Sequence, residues 1–304
     1  MGDEHPRWID LVDPTVEELQ AQIPGKLHKT ALEALLAPHV HDNEPRPHIV
    51  SHDDYILGVF LLPVSVPDED RVYYQEIDFI ATEDMLVSIS KTPPGEQPYD
   101  PKPAQEACRT DEKVGMFVYH LVDAIAESYL DLIDDLDDEI DELEDLVAVQ
   151  PPSQVGKRLR DLRQDIRGIR RTLSPTRDAV HKIVDDRVEL VGGELFPRDV
   201  EIAFGSAYDK FLRAAEGLDT SRDSLAGVRD YLQGKISVDQ NEVMKRLTLI
   251  ASLLLLPTFI VGLYGQNFVK IPELHWAFGY WWSWGWIIGT TIAQLVFFKW
   301  RRWI

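Results

Sequence analysis

Two apolar stretches near the C-terminus decide the fold of this chain. Residues 247–265 read LTLIASLLLLPTFIVGLYG and residues 280–298 read YWWSWGWIIGTTIAQLVFF, and each stretch has 19 residues without a formal charge. A helix needs about 20 apolar residues to cross roughly 30 Å of hydrocarbon. The sequence therefore predicts two transmembrane helices, joined by an external loop at 266–279.

The preceding part of the chain is strongly acidic. The whole sequence has 304 residues with 31 Lys+Arg and 52 Asp+Glu, and only one acidic residue, Glu273, follows Leu247. This balance argues against a nucleic-acid partner, which needs a basic surface. The single cysteine, Cys108, cannot form an intrachain disulfide and suits a reducing cytosol.

Basic residues at the ends of the spans predict the orientation in the lipid bilayer. Lys245 and Arg246 precede the first span, and Lys299, Arg301 and Arg302 follow the second. Positive residues favour the cytoplasmic side, so both termini are predicted to be cytoplasmic in a multi-pass protein of the cell (inner) membrane. Seven of the eight Trp residues lie between 276 and 303, at positions typical of interfacial anchors.

The pattern of apolar residues and breakers predicts an α+β membrane protein in four parts. Short apolar runs at 8–12, 55–63, 72–82 and 86–90, with a helix over 15–37, predict a cytoplasmic α/β domain at 1–103. Residues 104–198 form a helical hairpin, with an acidic helix from about 105 to 149 and a basic one from 153 to about 190. Residues 199–246 form a stalk helix that continues into the first span, and residues 247–304 form the transmembrane hairpin.

The acidic arm has a helical stripe of apolar residues at steps of three and four. Its members are Tyr129, Leu132, Leu136, Ile140, Leu143 and Val147. Between Glu127 and Leu146 there are 11 acidic residues and no basic one, which favours either a solvated acidic face or an anionic field that attracts cations. Pairing with the basic arm would relieve part of the repulsion among these carboxylates.

The sequence has no recognisable catalytic arrangement, such as a phosphate-binding glycine loop, a Cys/His zinc spacing or a Ser/His/Asp set. We therefore expect a protein that is not an enzyme. Four histidines between 39 and 52 could ligate a transition metal, namely His39, His41, His48 and His52. Pro45 and Pro47 interrupt this segment, and the preferred interpretation is a solvent-exposed loop.

One stripe of the first span is small or polar at six of eight positions. It consists of Asn241, Met244, Thr248, Ala251, Leu255, Thr258, Gly262 and Gly265. Such a stripe commonly marks close helix packing in membranes. In a symmetric oligomer the same stripe would line a pore without carboxylates. Mg²⁺ gives up water reluctantly, so it would pass hydrated, touching the amides of Asn241, Gln266 and Asn267 through its waters.

The tract NEVMKRLTLIASLLLLPTFIVGLYGQNF, residues 241–268, resembles the first transmembrane helix of the CorA family of divalent metal cation channels. In that family the end of the helix reads YGMN, where this chain has YGQN. Pro272-Glu273-Leu274 is similar to the family's MPEL loop, and weaker likeness extends from Trp8 across the chain. The resemblance implies a homopentamer with a funnel of long cytoplasmic helices, a pore of five first spans and an outer ring of second spans.

The resemblance also implies roles for single residues. Asn241 corresponds to an inner polar ring, Met244 and Leu247 to a hydrophobic constriction, and Thr258 to an outer polar ring. The remaining pathway positions are the signature Gly265, Gln266 and Asn267, the external loop acid Glu273, and the lining residues Thr248 and Leu255.

Two positions depart from the family pattern. Gln266 replaces the usual Met of the signature and exchanges a thioether for an amide at the filter, which affects ion selectivity. The family's regulatory intersubunit site has an acid on the stalk helix that falls on Ser206 when aligned through Tyr208-Asp209. Asp209 is the substitute candidate for a regulatory metal ligand, and gating by cytoplasmic Mg²⁺ would be weakened or relocated.

Three functions remain open on the sequence. The first is a passive influx channel for hydrated Mg²⁺, with Co²⁺ or Ni²⁺ as further ions, gated by cytoplasmic divalent cations. The second is a zinc transporter like ZntB, because those relatives also vary the middle signature residue and would carry Zn²⁺. The third is a membrane-anchored cation sensor that conducts nothing.

Overall fold

The structure is a computed structural model that describes residues 7–23, 27–38, 44–66, 71–109, 111–191, 193–267, 269 and 271–303. It divides into two compact units, Met1–Arg229 and Asp230–Ile304. The long helix that begins in the first unit ends in the second.

The first unit contains a five-stranded sheet. The strands are β1 (Arg7–Val12), β2 (His48–Ser51), β3 (Ile56–Val66), β4 (Arg71–Ala81) and β5 (Met85–Lys91). Their order is β1-β5-β4-β3-β2, with β1 parallel to β5 and the other neighbours antiparallel. The antiparallel pairs join strands that follow one another in sequence, whereas the parallel pair joins the first strand to the last.

Helices cover both faces of the sheet. Helices α1 (Val16–Gln22) and α2 (Lys29–Leu36) lie on one face, where Leu19 and Leu35 are buried against Leu57, Ile80 and Ile89. On the other face, Trp8 of β1 stacks on Phe117 with ring centroids 6.3 Å apart. Phe117 belongs to α4 (Val114–Val149).

The prediction of one helix over residues 15–37 was wrong, because the structure has two shorter helices there. The expected helix over 15–37 is divided into α1 and α2, which matches the helix-breaking residues Pro24 and Gly25 of the sequence. Thr15 caps α1 in a reciprocal capping box, with its hydroxyl accepting from the Glu18 amide at 3.3 Å and the Glu18 carboxylate accepting from the Thr15 amide at 2.9 Å.

The histidine segment is also corrected. His48 is not in a loop but begins β2, where it pairs with Val59. His52 stacks on Tyr55 with ring centroids 4.6 Å apart, so this ring packs against an aromatic neighbour. His39 and His41 lie outside the described residues.

A buried charge cluster joins the sheet to α2. The Lys91 ammonium lies 2.5 Å from Glu76 Oε1 and 2.9 Å from Asp78 Oδ2, and it donates to the Ala34 carbonyl at 2.7 Å. Asp78 is fully buried, and Glu76 and Lys91 are nearly so. Burial, followed by the charge of Glu76, raises the pKa of Asp78, and Lys91 opposes that shift.

Two long helices lie within the first unit, and a third continues from it into the second. They are α4, α5 (Pro152–Val184) and α6 (Arg198–Tyr264), and a short helix α3 (Lys102–Ala107) precedes them. The acidic arm was expected to begin near residue 105, but α3 ends at Ala107 and α4 starts at Val114. The basic arm was expected to reach residue 190 and ends at Val184, because Asp186 takes a left-handed conformation with φ 55°.

The apolar stripe of the acidic arm is confirmed as core. All six residues, from Tyr129 to Val147, are buried. The carboxylates on the same helix contact several elements, since Glu139 pairs with Arg158 of α5 and Asp123 accepts from Lys210 of α6 at 2.7 Å. The basic arm α5 also pairs with more than one helix. Besides the contact with α4, Arg170 Nη1 lies 3.3 Å from Asp219 Oδ1 of α6.

The long α6 is uninterrupted over 67 residues, although it contains several glycines and Pro257. Gly217 lies where α6 crosses α4, and a Cβ there would lie 2.8 Å from Ile133 Cγ2. The glycine at this position permits the close approach of the two helices. The second unit adds a 3₁₀ helix, Pro272–His275, and α7 (Gly279–Trp300).

Candidate functional site

The two sides of α6 in the second unit have different surroundings. On one side, Gln294 of α7 donates to the Ser252 carbonyl at 3.0 Å and Lys245 donates to the Arg302 carbonyl at 3.1 Å. The half-buried positions of α6 in this region share one face, namely Lys245, Leu249, Ser252, Leu253, Pro257, Ile260 and Tyr264. At 3.6 residues per turn, the exposed stripe from Asn241 to Gly265 is centred roughly opposite that face. The α7 contact therefore leaves this stripe uncovered within the chain.

Every predicted pathway residue on α6 is exposed in the single chain. This group comprises Asn241, Met244, Leu247, Thr248, Leu255 and Thr258. The most exposed of the apolar members is Leu255, at 70%. Other apolar residues on the same helix are exposed as well, such as Leu254 and Phe259, so both lipid and further protein could contact this part of α6.

The two threonine hydroxyls of the stripe donate to their own helix. Thr248 Oγ1 donates to the Met244 carbonyl at 2.8 Å and Thr258 Oγ1 donates to the Leu254 carbonyl at 2.7 Å. A hydroxyl oxygen that has used its proton in this way still has acceptor capacity. The waters around a hydrated cation point their hydrogens outward, so these oxygens suit a hydrated ion.

The signature residues form the turn that ends α6. The Gly265 amide donates to the Val261 carbonyl at 2.9 Å, and the Gln266 amide to the Leu263 carbonyl at 3.4 Å. The side chains of Gln266 and Asn267 are exposed beyond this turn. Two neutral amide groups thus lie at the end of the stripe, where they can accept hydrogen bonds from water.

The loop acid Glu273 lies in the 3₁₀ helix next to the start of α7 and is partly exposed. Its carbonyl accepts from the Trp276 amide at 3.2 Å. A Cβ at Gly279 would clash with that carbonyl, so the glycine allows the loop to lie against the first turn of α7. The loop is therefore held by backbone contacts, and the carboxylate of Glu273 is not needed to form it.

One helix in the described part of the chain, α6, is long and apolar enough to cross a membrane, and the apolar window is mostly unburied within the chain. α7 has 22 residues and one charged residue, Lys299, but its many Trp residues make it less apolar by the same measure. The second span stays a prediction.

The candidate regulatory residues lie on α6 in the first unit. Ser206 and Asp209 are both exposed. Lys210, next to Asp209, donates to Asp123 and also pairs with Glu127 of α4, and these hydrogen bonds oppose the effect of burial and raise the pKa of Lys210. The residue that follows Asp209 therefore already pairs with two carboxylates of α4 and offsets part of their charge.

In the described part of the chain, one group of possible metal ligands was not predicted from the sequence: Cys108, Glu112 and His120. Their ligand atoms all lie within 4.8 Å of one another. Successive members are four and eight positions apart. Cys108 follows the last residue of α3, Glu112 lies in the turn before α4, and His120 lies on α4. The continuous helix predicted from about residue 105 would place His120 about 12 Å along the axis from Glu112, so the sequence did not indicate the group.

Comparison with known families accounts for almost the whole chain. The profile of the family described as "CorA-like Mg2+ transporter protein" matches residues 3–302. The chain belongs to this CorA-like family. The Thermotoga maritima protein named "Cobalt/magnesium transport protein CorA" is 27% identical over 308 residues, covering 98% of this chain and 84% of that protein.

The fold is likewise that of CorA proteins. The complete structure of the CorA magnesium transporter from Methanocaldococcus jannaschii superposes with a TM-score of 0.77 at 20% identity, covering 100% of this chain and 93% of the other. The ZntB cytoplasmic domain from Vibrio parahaemolyticus gives a TM-score of 0.54 at 14% identity, covering 77% and 90%. At these identities the likeness concerns the fold alone.

Proposed function

We propose that this chain forms a homopentameric channel in the cell membrane that carries hydrated Mg²⁺ passively into the cytoplasm. The observation that carries the proposal is the uncovered stripe of α6, which lies away from α7 and ends in the amides of Gln266 and Asn267. Family membership over residues 3–302 supports transport of a divalent cation as the activity.

The wall of the proposed pathway is uncharged, and this determines how the ion moves. Hydroxyl and amide oxygens can accept from the water shell of Mg²⁺ but cannot replace that shell cheaply. The membrane potential supplies the driving force, at about 2.3 kcal/mol per charge per 100 mV, so roughly twice that for a divalent ion. In this arrangement Met244 and Leu247 would form the narrow apolar constriction nearer the cytoplasm, and both termini would be cytoplasmic.

The test is Mg²⁺ flux into liposomes that contain the purified full chain. We expect Asn267→Ala to lower the flux at least tenfold, because each subunit loses one of the amides that hold the hydrated ion. The matched control is Gln150→Ala, which removes an exposed amide at the end of α4, far along the chain from the stripe. Normal flux through Asn267→Ala would remove the signature from the mechanism.

We further propose that Glu273 concentrates cations at the outer mouth, as a ring of carboxylates contributed by the subunits. Glu273→Gln should raise the external Mg²⁺ concentration needed for half-maximal flux and leave the maximal flux little changed. The effect should shrink at high ionic strength, because salt screens exposed charges. A maximal flux that falls with unchanged half-saturation would instead place Glu273 in the path itself.

We also propose that cytoplasmic divalent cations close the channel through Asp209, by binding between subunits and relieving carboxylate repulsion. Asp209→Asn should then keep conducting at a cytoplasmic Mg²⁺ concentration that silences the unaltered chain. Asp199→Asn, which changes an exposed acid in the first turn of α6, is the control. Equal inhibition of all three proteins would exclude Asp209 as the regulatory ligand.

A zinc transporter is the second candidate, favoured by Gln266 in place of the signature Met. Competition among Zn²⁺, Co²⁺ and Mg²⁺ in the same liposomes separates the two functions, and dependence of the flux on a proton gradient would favour zinc transport. The absence of any flux, with the cytoplasmic face free of Mg²⁺, would leave the non-conducting sensor.

A further inference from the structure

Three side chains of different ligand chemistry meet where α3 is followed by α4. Cys108 caps the C-terminus of α3, Glu112 lies in the turn that follows, and His120 lies in the second turn of α4. The sulfur, a carboxylate oxygen and a ring nitrogen are all within 4.8 Å of one another. None of these residues belongs to the proposed ion pathway.

Backbone contacts hold Glu112 toward the other two residues. Its amide donates to the Arg109 carbonyl at 3.2 Å, and its carboxylate accepts from the Arg109 amide at 3.0 Å. The same carboxylate oxygen lies 3.1 Å from His120 Nε2. Both side chains are only 16% exposed, so the pair is already largely withdrawn from water.

The distance between Glu112 and His120, 3.1 Å, is close to the spacing of two ligands on one transition metal. Zn–S bonds are about 2.3 Å and Zn–N bonds about 2.0–2.1 Å, so tetrahedral ligand atoms lie roughly 3.3–3.8 Å apart. The Cys108 thiol now donates to the Ala104 carbonyl at 3.3 Å. A rotation of this side chain, at the end of a six-residue helix, would bring the sulfur to the metal.

The ligand set selects the type of metal. Thiolate and imidazole favour Zn²⁺ and Co²⁺, whereas Mg²⁺ requires oxygen ligands and near-octahedral geometry. One thiolate and one carboxylate would neutralise a divalent ion, with the thiol proton released to solvent as the sulfur–metal bond forms. Water would occupy the fourth position.

We propose that Cys108, Glu112 and His120 bind one Zn²⁺ or Co²⁺ ion per chain and thereby tie the end of α3 to α4. The site is distinct from the Mg²⁺ pathway and does not depend on the chain conducting ions. It gives the first unit a means of responding to a transition metal in the presence of cytoplasmic Mg²⁺.

Cobalt absorption in the purified full chain tests the site directly. Because Cys108 is the only cysteine, a thiolate-to-cobalt charge-transfer band can arise only from this residue. We expect one equivalent of Co²⁺ per chain to produce the band, Zn²⁺ to displace it, and a large excess of Mg²⁺ to leave it unchanged. Cys108→Ser should abolish the band.

Two further variants distinguish a three-residue site from a thiol acting alone. His120→Gln and Glu112→Gln should each weaken Co²⁺ binding at least about tenfold. The matched control is Asp111→Asn, an exposed acid of the same turn, which should bind as tightly as the unaltered chain. No band in the unaltered chain, or equal affinity in all of these proteins, would overturn the proposal.

Alkylation provides a second measurement in case a variant folds poorly. Cys108 is partly exposed, so iodoacetamide should label it slowly in the metal-free protein. Zn²⁺ should block labelling of the unaltered chain and Mg²⁺ should not. Labelling that Zn²⁺ fails to slow would also overturn the site, whatever the outcome for ion flux.

Discussion

Gln266 lies at the end of the proposed pathway, at the position where the resemblance to the CorA family implies a Met. The side chain is exposed beyond the end of α6, next to Asn267. An amide offers a hydrogen-bond acceptor to the water shell of a cation, whereas a thioether is a weak one. The substitution should therefore change how firmly each subunit holds a hydrated ion.

We expect Gln266→Met to raise the Mg²⁺ concentration for half-maximal flux about fivefold, because a hydrogen bond contributes about 1 kcal/mol net. Gln266→Asn retains the amide and should remain within about twofold of the unaltered chain. Flux in liposomes at several Mg²⁺ concentrations gives both values. If Gln266→Met and the unaltered chain reach half-maximal flux at the same Mg²⁺ concentration, the amide has no part in holding the ion.

Asp78 carries the clearest pH prediction. Its pKa is raised in the folded protein by burial and by Glu76, so above about pH 4 the unfolded chain releases a proton that the folded chain retains. Stability is then lost as the pH rises toward the folded pKa. Asp78→Asn should reduce the dependence of stability on pH. At pH 8 its melting temperature should be no lower than that of the unaltered chain.

Thermal unfolding of the full chain in detergent, followed by circular dichroism from pH 4 to pH 8, measures this slope. The prediction is contradicted if Asp78→Asn melts well below the unaltered chain at pH 8. In that case the contact between Asp78 and Lys91, at 2.9 Å, outweighs the cost of burying the carboxylate.

At the scale of elements, the crossing of α4 and α6 depends on the absence of a side chain at Gly217. A Cβ would lie 2.8 Å from Ile133 Cγ2, inside van der Waals contact, and Ile133 is itself buried. The two helices can separate only by losing contacts along their shared core. The glycine therefore has a packing role in the middle of a long helix.

Two substitutions in the same helix should have opposite signs. Gly217→Ala should destabilise the first unit by about 1–3 kcal/mol through overpacking. Gly227→Ala meets nothing within 4 Å and should stabilise α6 by roughly 0.5–1 kcal/mol through helix propensity. Denaturant unfolding of the two variants measures both effects, and equal stability would mean that α4 yields to the added methyl group.

At the scale of the whole molecule, the proposed pathway exists only if several chains bring their α6 stripes to a common axis. Cysteine cross-linking in a Cys108→Ser background tests this arrangement. Leu255→Cys, on the stripe, should give a ladder of covalent species that ends at the pentamer. Ile292→Cys, exposed on α7 in the proposed outer ring, should stay monomeric under the same oxidation.

A Leu255→Cys protein that remains monomeric, or one that stops at a dimer, would contradict the axial arrangement. Native mass spectrometry of the unaltered chain provides an independent subunit count. A monomer in that experiment would leave the apolar face of α6 to lipid and would favour the sensor function.

The sequence alone determined the elements whose signal is long or strongly periodic. The continuous α6, the buried stripe from Tyr129 to Val147 and four of the five strands are present as predicted. Each of these follows from a local pattern, since uninterrupted apolar periodicity specifies a helix and its buried face whatever it packs against. The resemblance to the CorA family also came from contiguous residues at the end of one helix.

Tertiary structure decided what depends on residues distant in sequence. Strand β2 has only four residues and is formed by pairing with β3, and the buried cluster of Lys91, Glu76 and Asp78 depends on the register of two strands and on α2. The meeting of Cys108 with His120 likewise required the break between α3 and α4. Such contacts are absent from any local pattern, because their free energy arises only when separate elements pack together.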